Sequence, residues 1–309
     1  MPVVNPVLIK TRCAICETDT HDTVLYPANF DLDSFSYEIF SARRSPDRRH
    51  YQIVRCQKCG LVRSNPVVDE DALGQLYAGS HFTYDQESRY AVETYGFYFK
   101  KFLKYIPKND DIKLLEIGCG NGFFLEKVKS LGIPNVFGIE PSREAVEKAG
   151  DVKKNIHVGM FEMGIYPFNY FDMLCCFQVF DHISAPNAFL KNCWDCLRDG
   201  GLDLFINHDV GSLPARILKA RCPIIDIEHT YLYDKSTMPQ IFKKNQFEIL
   251  DVFSVANRYP IAYWMKLAPL PKVFKNNFIA NLQRSRLGRI PISLSLGNMG
   301  ILARAVKKT

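Results

Sequence analysis

Between Ile112 and the C-terminus the chain alternates short apolar runs with amphipathic stretches. IKLLEIG (112–118), NVFGIEP (135–141), NIHVG (155–159), FDMLCCFQ (171–178) and LDLFINH (202–208) have the length and apolar density of buried strands. The segments between them repeat at helical spacing. GFFLEKVKSLG is closed by Gly132, SREAVEKAG starts at Ser142 as N-cap, and PNAFLKNCWDCLRDGG ends in a glycine pair. A further helix, DKSTMPQIFKKNQ, precedes the strand FEILDVFSV, and the strand GILARAV closes the pattern. Such alternation predicts a doubly wound, mainly parallel seven-stranded α/β sheet with helices on both faces.

Upstream the pattern changes twice. To about residue 68 the chain is rich in turns and β-like runs, and SYEIFSARRSPDRRHYQIVRC reads as a hairpin around Ser-Pro-Asp. From 69 to 108 it becomes helical and aromatic, with Tyr95, Tyr98, Phe99, Phe102, Leu103 and Ile106 on one face. Three units follow: 1–68, a helical lead-in or cap over 69–108, and the α/β domain over 109–309. A basic insertion from about 258 to 296 separates the last two strands.

Bulk numbers add little until charge is placed. Of 309 residues, 47% are hydrophobic and 23% charged, as in an ordinary globular protein. No apolar run reaches membrane-spanning length, and the N-terminus lacks a basic start followed by an apolar core, so a cytoplasmic location is expected. The net charge of +6 is uneven. Residues 256–309 hold ten Lys or Arg and no acid, while the other 255 residues carry 29 basic against 33 acidic groups. This points to a phosphate-bearing partner (nucleotide, lipid headgroup or nucleic acid), with a merely solvated surface as the plain alternative. The aromatic and lysine-rich YPIAYWMKLAPLPKVF suggests peripheral contact with the inner membrane face, although its prolines break any continuous amphipathic helix.

Ten cysteines in a reducing compartment are metal ligands, core residues or reactive thiols. Cys13 and Cys16, with Cys56 and Cys59, form two Cys-x-x-Cys knuckles. Four thiolates at that spacing match tetrahedral zinc, and a hairpin between them would make a zinc ribbon. With all four positions filled by Cys, the ion would be structural. Cys193 and Cys196 share the spacing but lie mid-helix on an apolar face, and read as core.

LLEIGCGNG is the strongest cofactor signal. Glu116 ends a strand, and Gly118, Cys119, Gly120 and Gly122 make a turn on which a ligand can lie against bare backbone. The next strand ends in Glu140, 22 residues after Gly118, where a carboxylate can accept from ribose hydroxyls. Together with the downstream FDMLCCFQVFDHISAPNAFLKNCWDCLRDGGLDLFI, this spacing resembles class I S-adenosylmethionine-dependent methyltransferases over roughly 110–255 plus the last strand. The resemblance implies that Glu116 and the glycine turn border the methionine part and that Glu140 holds the ribose. Phe161 and Glu162 would border the adenine, and Gln178 would flank the sulfonium.

The knuckles ending in CGLVRSNP, the aromatic lead-in and this domain together resemble bacterial deoxysugar and cell-surface polysaccharide methyltransferases. In their sugar C-methylating members a Glu-His pair followed by aromatics contributes to the active site. IIDIEHTYLY (224–233) matches at Glu228 and His229, with Asp226 where relatives commonly carry Tyr.

Methyl transfer from a sulfonium requires a positioned nucleophile and removal of its proton. Three acid–histidine pairs compete: Asp181–His182, His208–Asp209 and Glu228–His229. Sheet topology sends all three to one edge, so adjacent residues need not be each other's partners. The first reading takes His229 as general base supported by Glu228, with His182 as a second catalytic candidate. The second has Asp181, Asp209 and a His hold a divalent cation. Tyr84, in LYAGSHFTY beside Tyr77 and His81, is either a contact to cofactor or substrate or a core residue. The expected acceptor is a small molecule or glycan bearing phosphate, with no obligate protein partner. RNA methylation, with ribbon and basic tail as RNA grips, is the alternative, and a degenerate binding fold the third.

Overall fold

The computed structural model describes residues 7–30, 48–69, 87–106, 111–267, 279 and 281–307. Tyr77, His81 and Tyr84, and the proposed Ser-Pro-Asp hairpin turn, lie outside the described residues.

The N-terminal unit is a small antiparallel assembly. β1 (Leu8–Ile9) pairs with β5 (Val67–Val68), while β2 (Asp22–Tyr26), β3 (Ile53–Cys56) and β4 (Val62–Ser64) form a second sheet. The knuckle Cys56–Cys59 is the turn that reverses β3 into β4. Inside this unit Arg63 is fully buried, donating to Asp22 (Nη1 to Oδ1, 2.9 Å) and Thr11 (Nε to Oγ1, 3.1 Å). A buried charge of this kind is tolerable only when paired and hydrogen-bonded.

Helix α1 (Glu87–Phe102) follows. Tyr95, Tyr98, Phe99 and Phe102 are buried along one stripe, as their helical spacing predicts, and Ile106 continues it. Tyr95 stacks on Phe177 at 4.3 Å between ring centroids and Tyr98 on Phe253 at 4.9 Å. At about 1.5–3 kcal/mol per fully buried side chain, that stripe anchors the helix to the sheet.

The α/β domain holds seven strands: β6 (Lys113–Ile117), β7 (Asn135–Glu140), β8 (Ile156–Val158), β9 (Phe171–Phe177), β10 (Leu197–His208), β12 (Phe247–Pro260) and β13 (Pro291–Ala305). Their spatial order is β12-β13-β10-β9-β6-β7-β8, and only β13 runs against its neighbours. Every residue of β9 is buried, the reason its sequence is nearly unbroken apolar in a central parallel strand. Further helices are α2 (Phe123–Ser130), α3 (Arg143–Glu147), α4 (Pro186–Cys196), α5 (Leu213–Leu218), α6 (Thr237–Lys244) and α7 (Ile261–Leu267). Ser142 caps α3 by accepting from Ala145 N, as expected. The doubly wound sheet is thus the architecture that the alternation predicts.

Two features differ from the sequence reading. β12 and β13 extend beyond the sheet as an antiparallel ribbon, pairing Tyr259 with Ile292 and Pro260 with Pro291. Both ends of the expected 258–296 insertion are therefore strand. Second, β11 (Tyr231–Leu232), from the Glu-His segment, pairs with β4 and becomes the fourth strand of the N-terminal sheet. Cys13, Ala14, Cys56 and Leu61 accordingly share one apolar core with Phe180, Tyr233 and Met238 of the α/β domain.

Candidate functional site

The glycine turn follows β6 and leads into α2 under tight steric limits. At Gly118, with φ +74°, a Cβ would lie 2.4 Å from Val179 Cγ2. Glu140 ends β7 beside the turn. Its Oε2 accepts from Gly120 N at 2.9 Å and its Oε1 from Ser142 N at 2.8 Å, which orients the carboxylate before any ligand arrives. Burial raises its pKa against the lowering effect of those two amides.

Along the carboxyl ends of the three central strands stand buried acceptor oxygens without protein partners: Glu116 Oε2 on β6, Gln178 Oε1 after β9 and Asn207 Oδ1 on β10. Burial, reinforced by Glu140, pushes the Glu116 pKa well up. Each orphaned buried acceptor costs about 1–3 kcal/mol, recoverable when a donor or cation arrives. The arrangement fits a ligand carrying ammonium and sulfonium charge and a ribose. Phe161 contacts Phe189 of α4 at 5.5 Å between centroids, and Glu162 is exposed.

A second constellation lies beside this crevice. Asp181, 1% exposed, follows β9 in a short 3₁₀ turn and is the hub of three imidazoles. Its Oδ2 is 2.6 Å from His208 Nδ1 and 3.8 Å from His229 Nε2, and its Oδ1 is 3.8 Å from His182 Nε2. Asn207 Nδ2 donates to Oδ1 at 3.0 Å. His208, the last residue of β10, thus turns to Asp181, whereas its neighbour Asp209 lies just beyond the strand and accepts from Gly211 N through Oδ1. Burial would raise the Asp181 pKa, but His229 and His208 outweigh it and hold the carboxyl well below the usual carboxylate range. Burial pushes His182 down to about 3, against the pull of Asp181.

His229 is itself 6% exposed. Its Nδ1 lies 2.8 Å from Ile224 O, and since a carbonyl only accepts, Nδ1 carries the proton. In the neutral ring Nε2 is therefore the basic nitrogen, on the Asp181 side. Glu228 N donates to Asp226 Oδ1 at 3.2 Å, which shapes the loop ahead of the imidazole.

Beyond Asp209 opens a cavity of about 460 Å³ lined by Asp209, Ser212, Asp234, Lys235, Ser254 and Asn298 among others. Ser212 Oγ is buried there without a protein partner. The lining offers hydroxyl, amide, carboxylate and ammonium groups.

In the N-terminal unit Cys13, Cys16, Cys56 and Cys59 bring their sulfurs within 4.8 Å of one another. Cys16 N donates to Cys13 Sγ, and the amides of Lys58 and Cys59 donate to the Cys56 sulfur. Cys193 and Cys196 are buried in the α/β core, as expected.

A family model described as "Methyltransferase domain" matches residues 90–252, more than half of the chain. The chain belongs to this methyltransferase-domain family. It carries the methyltransferase domain of that family, and the orphaned acceptors stand within that domain. Among its relatives, the mitochondrial ubiquinone biosynthesis O-methyltransferase of Saccharomyces cerevisiae is 27% identical over 120 residues, 34% of this chain and 37% of that protein. The ubiquinone biosynthesis O-methyltransferase of Parvibaculum lavamentivorans is 30% identical over 104 residues, 30% of this chain and 39% of that one. The chain thus spans about two fifths of the length of these two relatives. In fold, the methyltransferase resembles a chain from the complex between the Haloferax volcanii Trm112 methyltransferase activator and a methyltransferase. The TM-score is 0.50 at 18% identity, over 72% of this chain and 96% of that one.

Of the residues singled out in sequence, the fold brings Glu116, the glycines, Glu140 and Gln178 to the carboxyl ends of the strands, and His182 and His229 to Asp181. Sequence reasoning missed Asn207 as an acceptor and Asp181 as the common hub. The advance signals were the Asp181–His182 pair after FDMLCCFQ and the polar Asn-His-Asp run that ends LDLFINH.

Proposed function

We propose that this methyltransferase acts on a hydroxyl oxygen of a sugar, with His229 as general base. The observation that carries the reading is the His229 ring. Its Nδ1 is committed to Ile224 O, and its Nε2 stands 3.8 Å from the Asp181 carboxylate. Bound S-adenosylmethionine supplies an electrophilic methyl. His229 Nε2 takes the proton of the acceptor hydroxyl, and the resulting imidazolium is stabilised by anionic Asp181. Asn207 and His208 keep Asp181 in place. Transfer to oxygen accords with the O-methyltransferase names of the relatives, and the hydroxyl-rich cavity beyond Asp209 suits a polyhydroxylated acceptor. Exposed Arg284, Arg286 and Arg289 would meet the phosphate of a nucleotide-linked or lipid-linked sugar.

The four-cysteine cluster fits structural zinc: ligands about 2.3 Å from a tetrahedral ion stand about 3.8 Å apart, within the observed spread. One zinc per chain, lost in Cys56→Ser, is the expected metal analysis.

The test incubates the protein with methyl-labelled cofactor, a panel of nucleotide sugars and glycosides, and total RNA. Label should enter sugars, with turnover lowered about 10²-fold or more in His229→Ala. Label on RNA alone would replace the sugar reading, and full turnover by His229→Ala would remove the base. A second reading is favoured by one observation: candidate ligand atoms of Asp181, His182 and His229 lie within 4.8 Å of one another, room for a divalent cation that acidifies the hydroxyl. Turnover abolished by EDTA and restored by Mg²⁺ or Mn²⁺ selects that reading.

A further inference from the structure

The Glu-His segment belongs to the α/β domain in sequence but to the cysteine ribbon in space. After His229 the chain enters β11, which pairs Tyr231 with Arg63 and Leu232 with Val62 of β4. Ser64, fully buried at the end of β4, makes two bonds across this seam. Its amide donates to Thr230 O at 2.9 Å, and its hydroxyl donates to the carbonyl of His229 itself at 2.8 Å. Ser64 follows Cys59 by five residues, so the second knuckle fixes the strand that carries it. The first knuckle reaches the same segment from the other side, for Tyr231 Oη donates at 2.9 Å to the carbonyl of Arg12, which directly precedes Cys13. The ribbon is in turn seated on the α/β domain. Asn187 of α4 and Lys244 of α6 both donate to Ala14 O, at 2.8 and 2.7 Å.

Four backbone restraints therefore bracket the imidazole. Two come from the α/β side, His229 N to Asp226 O and Thr230 N to Asp181 O. The other two come from Ser64. A loop carrying a base at the edge of a sheet has few restraints of its own, and a misplacement of about 1 Å can cost two orders of magnitude in rate. The fold meets that requirement by lending the loop a strand from the ribbon.

We infer that Ser64 is a positioning residue for the His229 imidazole, and that the cysteine ribbon is the part of the active site that fixes where this imidazole stands. The catalytic consequence rests on the reading of His229 as base, whereas the positioning does not.

The test uses the full chain as purified, with ¹⁵N-labelled histidine. Ser64→Ala removes one hydroxyl and leaves the backbone pairing of β4 and β11 available. Its His229 ring-nitrogen resonances should shift or broaden relative to the parent, while His50, held within the ribbon through Tyr51 O, should keep its own. The kcat should fall about tenfold, and the apparent pKa of the pH–rate profile should move. KM and calorimetric affinity for S-adenosylmethionine should stay within a factor of about two. Ser64→Thr, which keeps a hydroxyl, should restore kcat. Should the added methyl disturb packing, Tyr231→Phe gives an independent arm, expected to shift the His229 resonances as well. Unchanged His229 resonances in both Ser64→Ala and Tyr231→Phe overturn the proposal whatever the turnover. So does a parallel loss of cofactor affinity and ribbon signals in Ser64→Ala, which is the mark of general destabilisation. If His229→Ala keeps full turnover while Ser64→Ala still shifts the His229 resonances, the base assignment falls and the positioning stands.

Discussion

His182 gives the sharpest physical test of the imidazole cluster. Its side chain is 21% exposed, and burial depresses its pKa to about 3 despite Asp181 at 3.8 Å. In the unfolded chain the same ring titrates near about 6.5. Below that pH the unfolded state binds a proton that the folded state refuses. Stability is therefore full above about pH 6.5 and is lost progressively as pH falls towards 3. At pH 5 the ring is about 1.5 pH units below its unfolded pKa, a loss of about 2 kcal/mol at 1.36 kcal/mol per unit. His182→Gln removes this proton and leaves the other titrating groups in both proteins. Urea melts at pH 7.5 and pH 5.0, run with chelator present, should show the parent losing about 2 kcal/mol more than the variant over that interval. A histidine NMR titration gives the site directly: the His182 ring should stay neutral through pH 5. Equal pH dependence in the two proteins, or a His182 midpoint near 6.5, would refute the burial argument.

Three other changes probe the cofactor crevice and the core. Gly118→Ala places a methyl 2.4 Å from Val179 Cγ2 at a positive φ, so cofactor affinity by calorimetry should drop at least tenfold with some loss of melting temperature. Glu140→Ala leaves the amides of Gly120 and Ser142 without their acceptor and removes the expected ribose partner; an affinity loss of tenfold or more is expected, and unaltered binding would place the ribose elsewhere. Asp203 is fully buried on β10 with neither carboxylate oxygen bonded, and burial pushes its pKa well up. Asp203→Leu should therefore stabilise the fold by about 2 kcal/mol in urea melts at pH 7, with the gain shrinking towards acid pH where the aspartate is protonated in both states.

The legible parts of the sequence were those whose pattern is local. Apolar runs of strand length, Ser142 as a cap, the aromatic stripe of α1 and the glycine turn each follow from a few neighbouring residues. The seven-stranded sheet follows from their order. The paired knuckles were legible because Cys-x-x-Cys is a local spacing, and the fold brings the four sulfurs within 4.8 Å of one another. What failed was partner assignment. His208–Asp209 is an adjacent pair in sequence, but His208 ends β10 and bonds Asp181, while Asp209 lies beyond the strand and accepts from Gly211 N. Asn207 looked like the polar end of a strand, and nothing local marks its oxygen as an unfilled acceptor. The unpartnered Asp203 was invisible for the same reason: LDLFIN reads as a strand with or without it.

The division of the chain into ribbon and catalytic domain shows the same limit more deeply. A break at residue 68 is sound by composition, yet the sheet that contains β4 is completed by residues 231–232. Composition cannot register a pairing between Ser64 and His229, 165 positions apart, because it depends on the α/β domain turning IIDIEHTYLY back towards the knuckles. In the folded chain the Asp181 carboxylate, the Ile224 carbonyl and the Ser64 hydroxyl restrain His229 through three different atoms: ring Nε2, ring Nδ1 and backbone oxygen. Two of these restraints come from the α/β domain and one from the ribbon. A ribbon that served only to stabilise the fold would not need the third. Its presence makes the orientation of the imidazole depend on the seating of both knuckles, so damage to the cysteines should reach the chemistry before it unfolds the sheet.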